Sequence, residues 1–239
     1  MKNPILDDLV LFENDDLLII NKPAGISTLE DRHDHLNLLG LTRKKYPHIQ
    51  TCHRLDKDTS GALIFAKNPE SYRSISILFE HRKVEKVYHT VVCGKSDFNE
   101  KEINMPIVIR SSGLVFLDKL EGKPSTTFFT TLKNFSQWSL VECRPVTGRK
   151  HQIRIHLKYA QHPIVGDEEY GGKDIYLVDI KRKYAVSDGE AKPIIGRVAL
   201  HARSISFNMP DGNPLKVEAP YPKDFAVLLK QLEKYASGS

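Results

Sequence analysis

His53-Arg54-Leu55-Asp56-Lys57-Asp58-Thr59-Ser60-Gly61 is the stretch around which the chain is organised. One apolar residue, Leu55, stands among basic and acidic side chains, two hydroxyls and a closing glycine. The apolar run Ala62-Leu63-Ile64-Phe65-Ala66 follows at once and reads as a buried strand. Asp56 is thereby placed on a polar loop at the edge of a rigid strand, where a reactive carboxylate can be positioned with accuracy. Asp58-Thr59-Ser60-Gly61 is also ordinary turn chemistry, and an aspartate in such a turn can serve only to tie down the loop.

Upstream, Leu9-Val10-Leu11-Phe12 and Leu17-Leu18-Ile19-Ile20 read as two strands joined by a hairpin-like turn at residues 13–16. Asn21-Lys22-Pro23-Ala24-Gly25 then breaks the second strand and reads as a loop. Residues 28–50 are polar and weakly patterned, with Arg43-Lys44-Lys45 as a solvated helix face. Downstream, Asn68-Pro69 starts a helix whose apolar positions Ile75, Leu78 and Phe79 have helical spacing. His81-Arg82-Lys83 ends it, where basic residues suit the helix dipole. Val84 to Cys93 reads as a strand on which Lys86 and Tyr88 share one face. By spacing alone, that tyrosine suits a core position and a ligand contact equally.

Residues 94–124 read as rich in turns and charges, followed by strands from Thr126 to Leu132 and from Trp138 to Cys143. A second anchor is Thr147-Gly148-Arg149-Lys150-His151-Gln152-Ile153-Arg154-Ile155-His156-Leu157. Its apolar residues fit both strand and helix periods. We read a helix capped by Thr147, continuing through Ala160 and stopped by Pro163. Residues 173–196 are polar and fit an insertion, a mobile loop or a flap that contacts a partner. A final amphipathic helix covers Asp224 to Tyr235. The pattern predicts an α+β fold: a mixed, mainly antiparallel β-sheet decorated by helices.

With 239 residues there is ample core for one large domain or two small ones. A net charge of +5 fits a polyanionic partner. Cys52, Cys93 and Cys143 are an odd number, far apart, and read as reduced thiols of a cytoplasmic protein. No apolar run reaches membrane-helix length and the N-terminus lacks a signal-peptide core, so no membrane role is expected. Among the ten histidines, neither His33/His35 nor His151/His156 has a metal-binding spacing. No phosphate-cradling glycine motif for a nucleotide cofactor occurs.

The nine-residue stretch resembles the HRLDxxTSG signature of RNA pseudouridine synthases of the RluA type. Further resemblances follow in the family's order: NKPAG at 21–25, a K-x-Y strand at Lys86–Tyr88, TGRxHQIRxH at 147–156, HPIxGD at 162–167 and LHA at 200–202. Gln161 stands where the family usually has glycine, a departure expected at a helix end. The resemblance implies a single catalytic domain over 1–239, with its motif core at 9–220 and no separate N-terminal RNA-binding domain.

By the same resemblance, Asp56 is the catalytic residue and acts at the ribose of a uridine. Tyr88 lies against the base, Ile153 packs under it, Arg154 pairs with Asp56, and Arg54 holds the flipped nucleotide. Arg149 and Lys86 are candidates for RNA phosphates. The implied partner is structured RNA, ribosomal ahead of transfer RNA, with no cofactor and no metal. A monomer is expected, since no exposed heptad seam occurs. Two other classes stay in view. A nucleoside or glycoside hydrolase would need a second carboxylate, for which Asp58 is the candidate. An RNA-binding module without turnover would have no need of Asp56, Tyr88 and Arg154 together.

Overall fold

A computed structural model of the chain describes residues 4–30, 36–181 and 192–237. In chain order the strands and helices are β1 (Val10–Glu13), β2 (Leu17–Lys22), α1 (Leu38–Arg43), β3 (Gln50–Thr51), β4 (Ser60–Ala66), α2 (Pro69–Glu80) and β5 (Glu85–Cys93). There follow β6 (Lys101–Asn104), β7 (Ile107–Ile109), β8 (Val115–Leu117), β9 (Thr126–Asn134), β10 (Trp138–Pro145), α3 (Gln152–Tyr159), α4 (Leu177–Ile180), β11 (Leu200–Asn208), β12 (Pro214–Glu218) and α5 (Lys223–Tyr235). The α+β class with a mixed, mainly antiparallel sheet is as expected. Two compact units result: Met1–Val87 with His201–Pro220, and Tyr88–Leu200 with Tyr221–Ser239. No helix among the described residues is long and apolar enough to cross a membrane.

In the first unit β4 is the central strand, and all seven of its residues are buried. Such a continuous apolar run suits a strand covered on both faces. It pairs antiparallel with β2 along Leu17–Lys22 and with the short β3. It also runs parallel to β11, with Ser60 opposite His201 and Gly61 opposite Ala202. β1 pairs with β2, closed by the Asn14 side chain, which accepts from the N–H groups of Asp16 and Leu17. β12 folds back on β11. Asn68 caps α2 by accepting from Ser71 N–H, with Pro69 as the first helical residue. Ile75 of α2 is buried in the unit's core with Ile19, Ile64 and Phe207, and Leu78 and Phe79 pack against it.

In the second unit β5, β10, β9 and β6 form antiparallel ladders. Its core joins Val91, Val141 and Trp138 to Ile153 and Leu157 of α3 and Phe225, Leu228 and Leu232 of α5. Residues 94–124, expected to be mostly turns, hold β6 and the β7–β8 hairpin. These strands are three or four residues long and bury one side chain each, Ile103, Ile107 and Val115. So few apolar positions give no detectable period, and backbone pairing defines them instead. Of the 173–196 segment, residues 182–191 lie outside the described residues.

The helix expected over 147–160 is present but starts at Gln152, and Thr147 is not its cap. The N-terminal residue is His151, in the left-handed region at φ 54°. At the other end, His162 N–H donates to Leu157 C=O and Gln161 N–H to Lys158 C=O. This is a Schellman closure, whose left-handed position favours glycine. Gln161 occupies it at φ 66°, so the expected departure does fall at a helix end. Gln161→Gly should raise stability by about 1 kcal/mol, read from the denaturant midpoint. A lower midpoint would mean the side chain contributes more than the strained backbone costs.

Candidate functional site

The Asp56 loop is clamped from below by two side chains of its own unit. Lys22 is fully buried. Its ammonium donates to the carbonyls of Pro23 (3.0 Å), Lys57 (2.8 Å) and Thr59 (2.8 Å). The N–H of Gly25, at φ 81°, also donates to the Lys57 carbonyl. Thr28 is buried, and its hydroxyl donates to Leu55 C=O at 3.0 Å and accepts from Leu55 N–H at 3.2 Å. Leu55 is thus fixed on both sides, and a Thr59 N–H to Asp56 C=O bond closes the turn. Asp56 is half-buried, while Arg54 and Asp58 are exposed. Within this unit, no hydrogen bond or ion pair among the described residues engages the Asp56 carboxylate.

The far side of the loop is held by β11. Gly61 has φ 118°, and a Cβ there would lie 2.2 Å from the Ala202 carbonyl oxygen, so the closing glycine is a packing requirement. Ser60 Oγ lies 2.9 Å from His201 Nδ1, and His201 Nε2 lies 3.1 Å from Ala219 C=O. A carbonyl only accepts, so Nε2 carries the proton and, in the neutral ring, Nδ1 accepts from Ser60.

His53, the first residue of the stretch, accepts the Ile64 N–H at Nε2 and packs its ring 5.0 Å from Phe79. Desolvation, with the Lys86 charge adding to it, pulls its pKa down to about 3, so the ring is neutral. Lys86 itself is half-buried, and desolvation lowers its pKa from 10.5 to about 8. Below about pH 8 it is protonated in both folded and unfolded chains. Between about pH 8 and 10.5 the unfolded chain holds more protons, so stability rises with pH in that window and the gain is lost as pH falls. Wild type should therefore gain on Lys86→Met between melts at about pH 7 and about pH 10. Parallel curves for the two proteins would place the Lys86 ammonium in water.

In the second unit, Tyr88 stands on β5 opposite Cys143 of β10, half-buried against the unit's core. The turn before α3 is folded around the buried Gln152 side chain. Its Oε1 accepts from Thr147 Oγ (2.7 Å) and Arg149 N–H (3.0 Å), and its Nε2 donates to Thr126 C=O and Thr127 Oγ, each at 3.0 Å. Thr147 is thereby drawn to the side chain of Gln152, which is why it does not cap the helix. His156 is buried between Thr127 Oγ and Met105 C=O, and burial lowers its pKa. Arg149 is exposed, and Ile153 is buried in the core at 7% exposure.

Arg154 is 8% exposed. The resemblance implied Asp56 as its partner. The carboxylate that holds it in its own unit is Asp167, through Nε and Nη2 at 2.7 Å each. Nη2 also donates to Glu169 at 2.9 Å, and the guanidinium lies 4.8 Å from the centre of the Tyr170 ring. Asp167 itself is 1% exposed and follows Gly166, whose φ is 75° and whose Cβ would meet the Arg197 carbonyl at 2.3 Å. Bidentate geometry and shared burial explain this choice of partner.

Asp167→Asn should cost about 2–3 kcal/mol, less than a fully orphaned buried charge because Glu169 remains. Urea unfolding checks this, and an unchanged midpoint would show that Glu169 alone suffices. Sequence reading assigned no role to Lys22, His53 or Asp167. The available signal for Asp167 was that a helix-borne arginine among apolar neighbours needs an acid, and Asp167 and Glu169 follow shortly after the helix. Among the described residues, no group of three or more His, Cys, Asp or Glu side chains could hold a metal ion.

The chain has relatives among known proteins. Residues 16–159 match the family model described as RNA pseudouridylate synthase. The ribosomal large subunit pseudouridine synthase C of Vibrio vulnificus (strain CMCP6) is 31% identical over 231 residues, covering 95% of this chain and 70% of that protein. Its namesake in Escherichia coli (strain K12) is 32% identical over 234 residues, with the same coverage. The chain therefore spans about 70% of the length of either relative. Among solved structures, human RNA pseudouridylate synthase domain containing 4 superposes with a TM-score of 0.72 at 23% identity, covering 95% of this chain and 94% of that one. Human RNA pseudouridylate synthase domain containing 1 gives 0.70 at 25% identity, with full coverage of both. A family match over more than half the chain, together with relatives above 30% identity across nearly all of it, establishes that this chain belongs to the RNA pseudouridylate synthases, in the RluA-type branch that its motifs resemble.

Proposed function

We propose that the chain isomerises a uridine of structured ribosomal RNA to pseudouridine, with Asp56 acting at the ribose. The observation that carries this reading is the half-buried Asp56 on a loop pinned by Lys22 and Thr28, with no ion pair in its own unit to neutralise it. A carboxylate so placed stays available to the reacting carbon while its backbone is held still. The target nucleotide leaves its stack, at a cost of a few kcal/mol. Asp56 serves at the sugar, as nucleophile at C1′ or in assisting glycal formation. The bond from N1 to C1′ breaks, the uracil turns, C5 bonds to C1′ and displaces the carboxylate where that had bonded there, the C5 proton departs to solvent, and N1 takes up one proton in exchange. Atoms balance within the nucleotide, so no external reactant enters.

Tyr88 offers its ring to the base, with Ile153 and Arg154 as further contacts and Arg54 at the vacated position. Arg149 and Lys86 meet phosphates, so RNA affinity should fall with salt. Support for ribosomal RNA comes from the names of the relatives. The hydrolase reading gains nothing, because Asp58 is exposed on the same loop as Asp56. The test uses ribosomal and transfer RNA transcripts, each labelled with 5-³H-uridine. Tritium release from the ribosomal transcript is expected. Release from transfer RNA alone would overturn the substrate assignment, and free uracil would overturn the isomerisation.

A further inference from the structure

The second unit contains an open groove of about 580 Å³ between β8 and α3, lined by none of the residues assigned above to the uridine or to RNA phosphates. Its floor is a small apolar cluster of Val115, Ile155 and Tyr170, which are 5%, 6% and 4% exposed. Its rim is different. Leu114, Phe116 and Tyr159 are 51%, 48% and 52% exposed. Single exposed hydrophobic residues are ordinary, but three large ones around one concavity mark a binding surface.

The charge around the groove is positive where it is free to act. Lys158 lines it, exposed, with its ammonium 5.8 Å from the Tyr170 ring centre. The acid in the lining, Glu169, is already engaged by Arg154. Tyr170, in the groove's floor, also carries the Arg154 guanidinium, 4.8 Å from its ring centre. The volume falls in the range of small-ligand sites, roughly 300–1,000 Å³.

We propose that this groove takes an unpaired base of the RNA substrate, other than the isomerised uridine, stacked on Tyr159 and Phe116 with its phosphate at Lys158. Aromatic rings beside a cation match a nucleotide, whose flat base and charged phosphate need both. A purely apolar partner would gain nothing from the lysine. The proposal rests on the chain's action on RNA, and it is independent of the role of Asp56.

The test measures Kd and turnover separately, on pooled ribosomal and transfer RNA transcripts labelled with 5-³H-uridine, for wild type, Tyr159→Ala, Tyr159→Phe, Phe116→Ala and Lys158→Met. These side chains are exposed, so folding should be intact, and thermal melts check it. The expected result is roughly 5- to 100-fold weaker binding for each alanine variant. KM rises, kcat at saturating RNA stays near wild type, and Tyr159→Phe binds like wild type. Lys158→Met should reduce the salt slope by about one. Equal Kd for wild type and both alanine variants would overturn the groove. So would a wild-type self-association, seen by sedimentation, that Tyr159→Ala abolishes without changing RNA affinity, since a second copy would then be the occupant. A wild type that binds without releasing tritium would fail the catalytic reading alone and leave the comparison of Kd values valid.

Discussion

Asp56→Asn is expected to lower tritium release from 5-³H-uridine RNA by at least about 10³-fold while leaving RNA affinity near wild type. The amide has nearly the shape of the carboxylate, so the loop that Lys22 and Thr28 hold should keep its form. What is lost is the negative charge and the lone-pair reactivity at the sugar. The two readouts separate chemistry from binding: affinity to RNA comes mainly from phosphate contacts, in which a carboxylate has no part. Tritium release within about tenfold of wild type would remove Asp56 from the chemistry. Loss of binding together with turnover would instead make it a residue that shapes the loop.

The second large effect is expected at a residue far less conspicuous in the sequence. Lys22→Met keeps most of the stem's apolar volume but removes an ammonium that serves three carbonyls in a fully buried setting. Each buried acceptor left unpaired costs about 1–3 kcal/mol, partly offset because a buried charge no longer needs desolvation. A net loss of about 3–5 kcal/mol follows, or roughly 6–20 °C in Tm for a chain of this size. Two of the three carbonyls, of Lys57 and Thr59, flank the Asp56 turn. The fraction still folded should therefore turn over about 10- to 100-fold more slowly, as a misplaced catalytic group does. Normal stability in Lys22→Met would show that water reaches these carbonyls.

How much of this was legible beforehand follows from the kind of signal each residue leaves. The β1–β2 hairpin, the buried β4 and the Asn68-Pro69 start of α2 are local. Strand periods, turn residues and caps act within a few positions, so the sequence states them directly. The segment that carries Asp56 was legible for the same reason, whereas the misfit at Gln161, where a left-handed helix end meets a residue with a Cβ, was legible only through the family resemblance. The β7–β8 hairpin was not legible, since three-residue strands bury too little to show a period.

By itself, the sequence determined the α+β class, the order of the motifs and the family to which they point. Only the tertiary structure decided which groups meet. Lys22 reads as part of a loop, yet it is a buried cation, because the carbonyls that satisfy it lie as far as 37 residues away. Arg154 is implied by resemblance as a partner for Asp56; what the structure adds is that within its own unit it is bound by Asp167, set 13 residues on by a glycine turn packed under Arg197. His53 has no role that the sequence states, yet desolvation and the Ile64 amide make it a neutral hydrogen-bond acceptor. In each case the outcome depends on how a buried polar group is paired. Pairing across the fold leaves no local period to read, whereas the cost of an unpaired buried charge makes it decisive once the chain is folded.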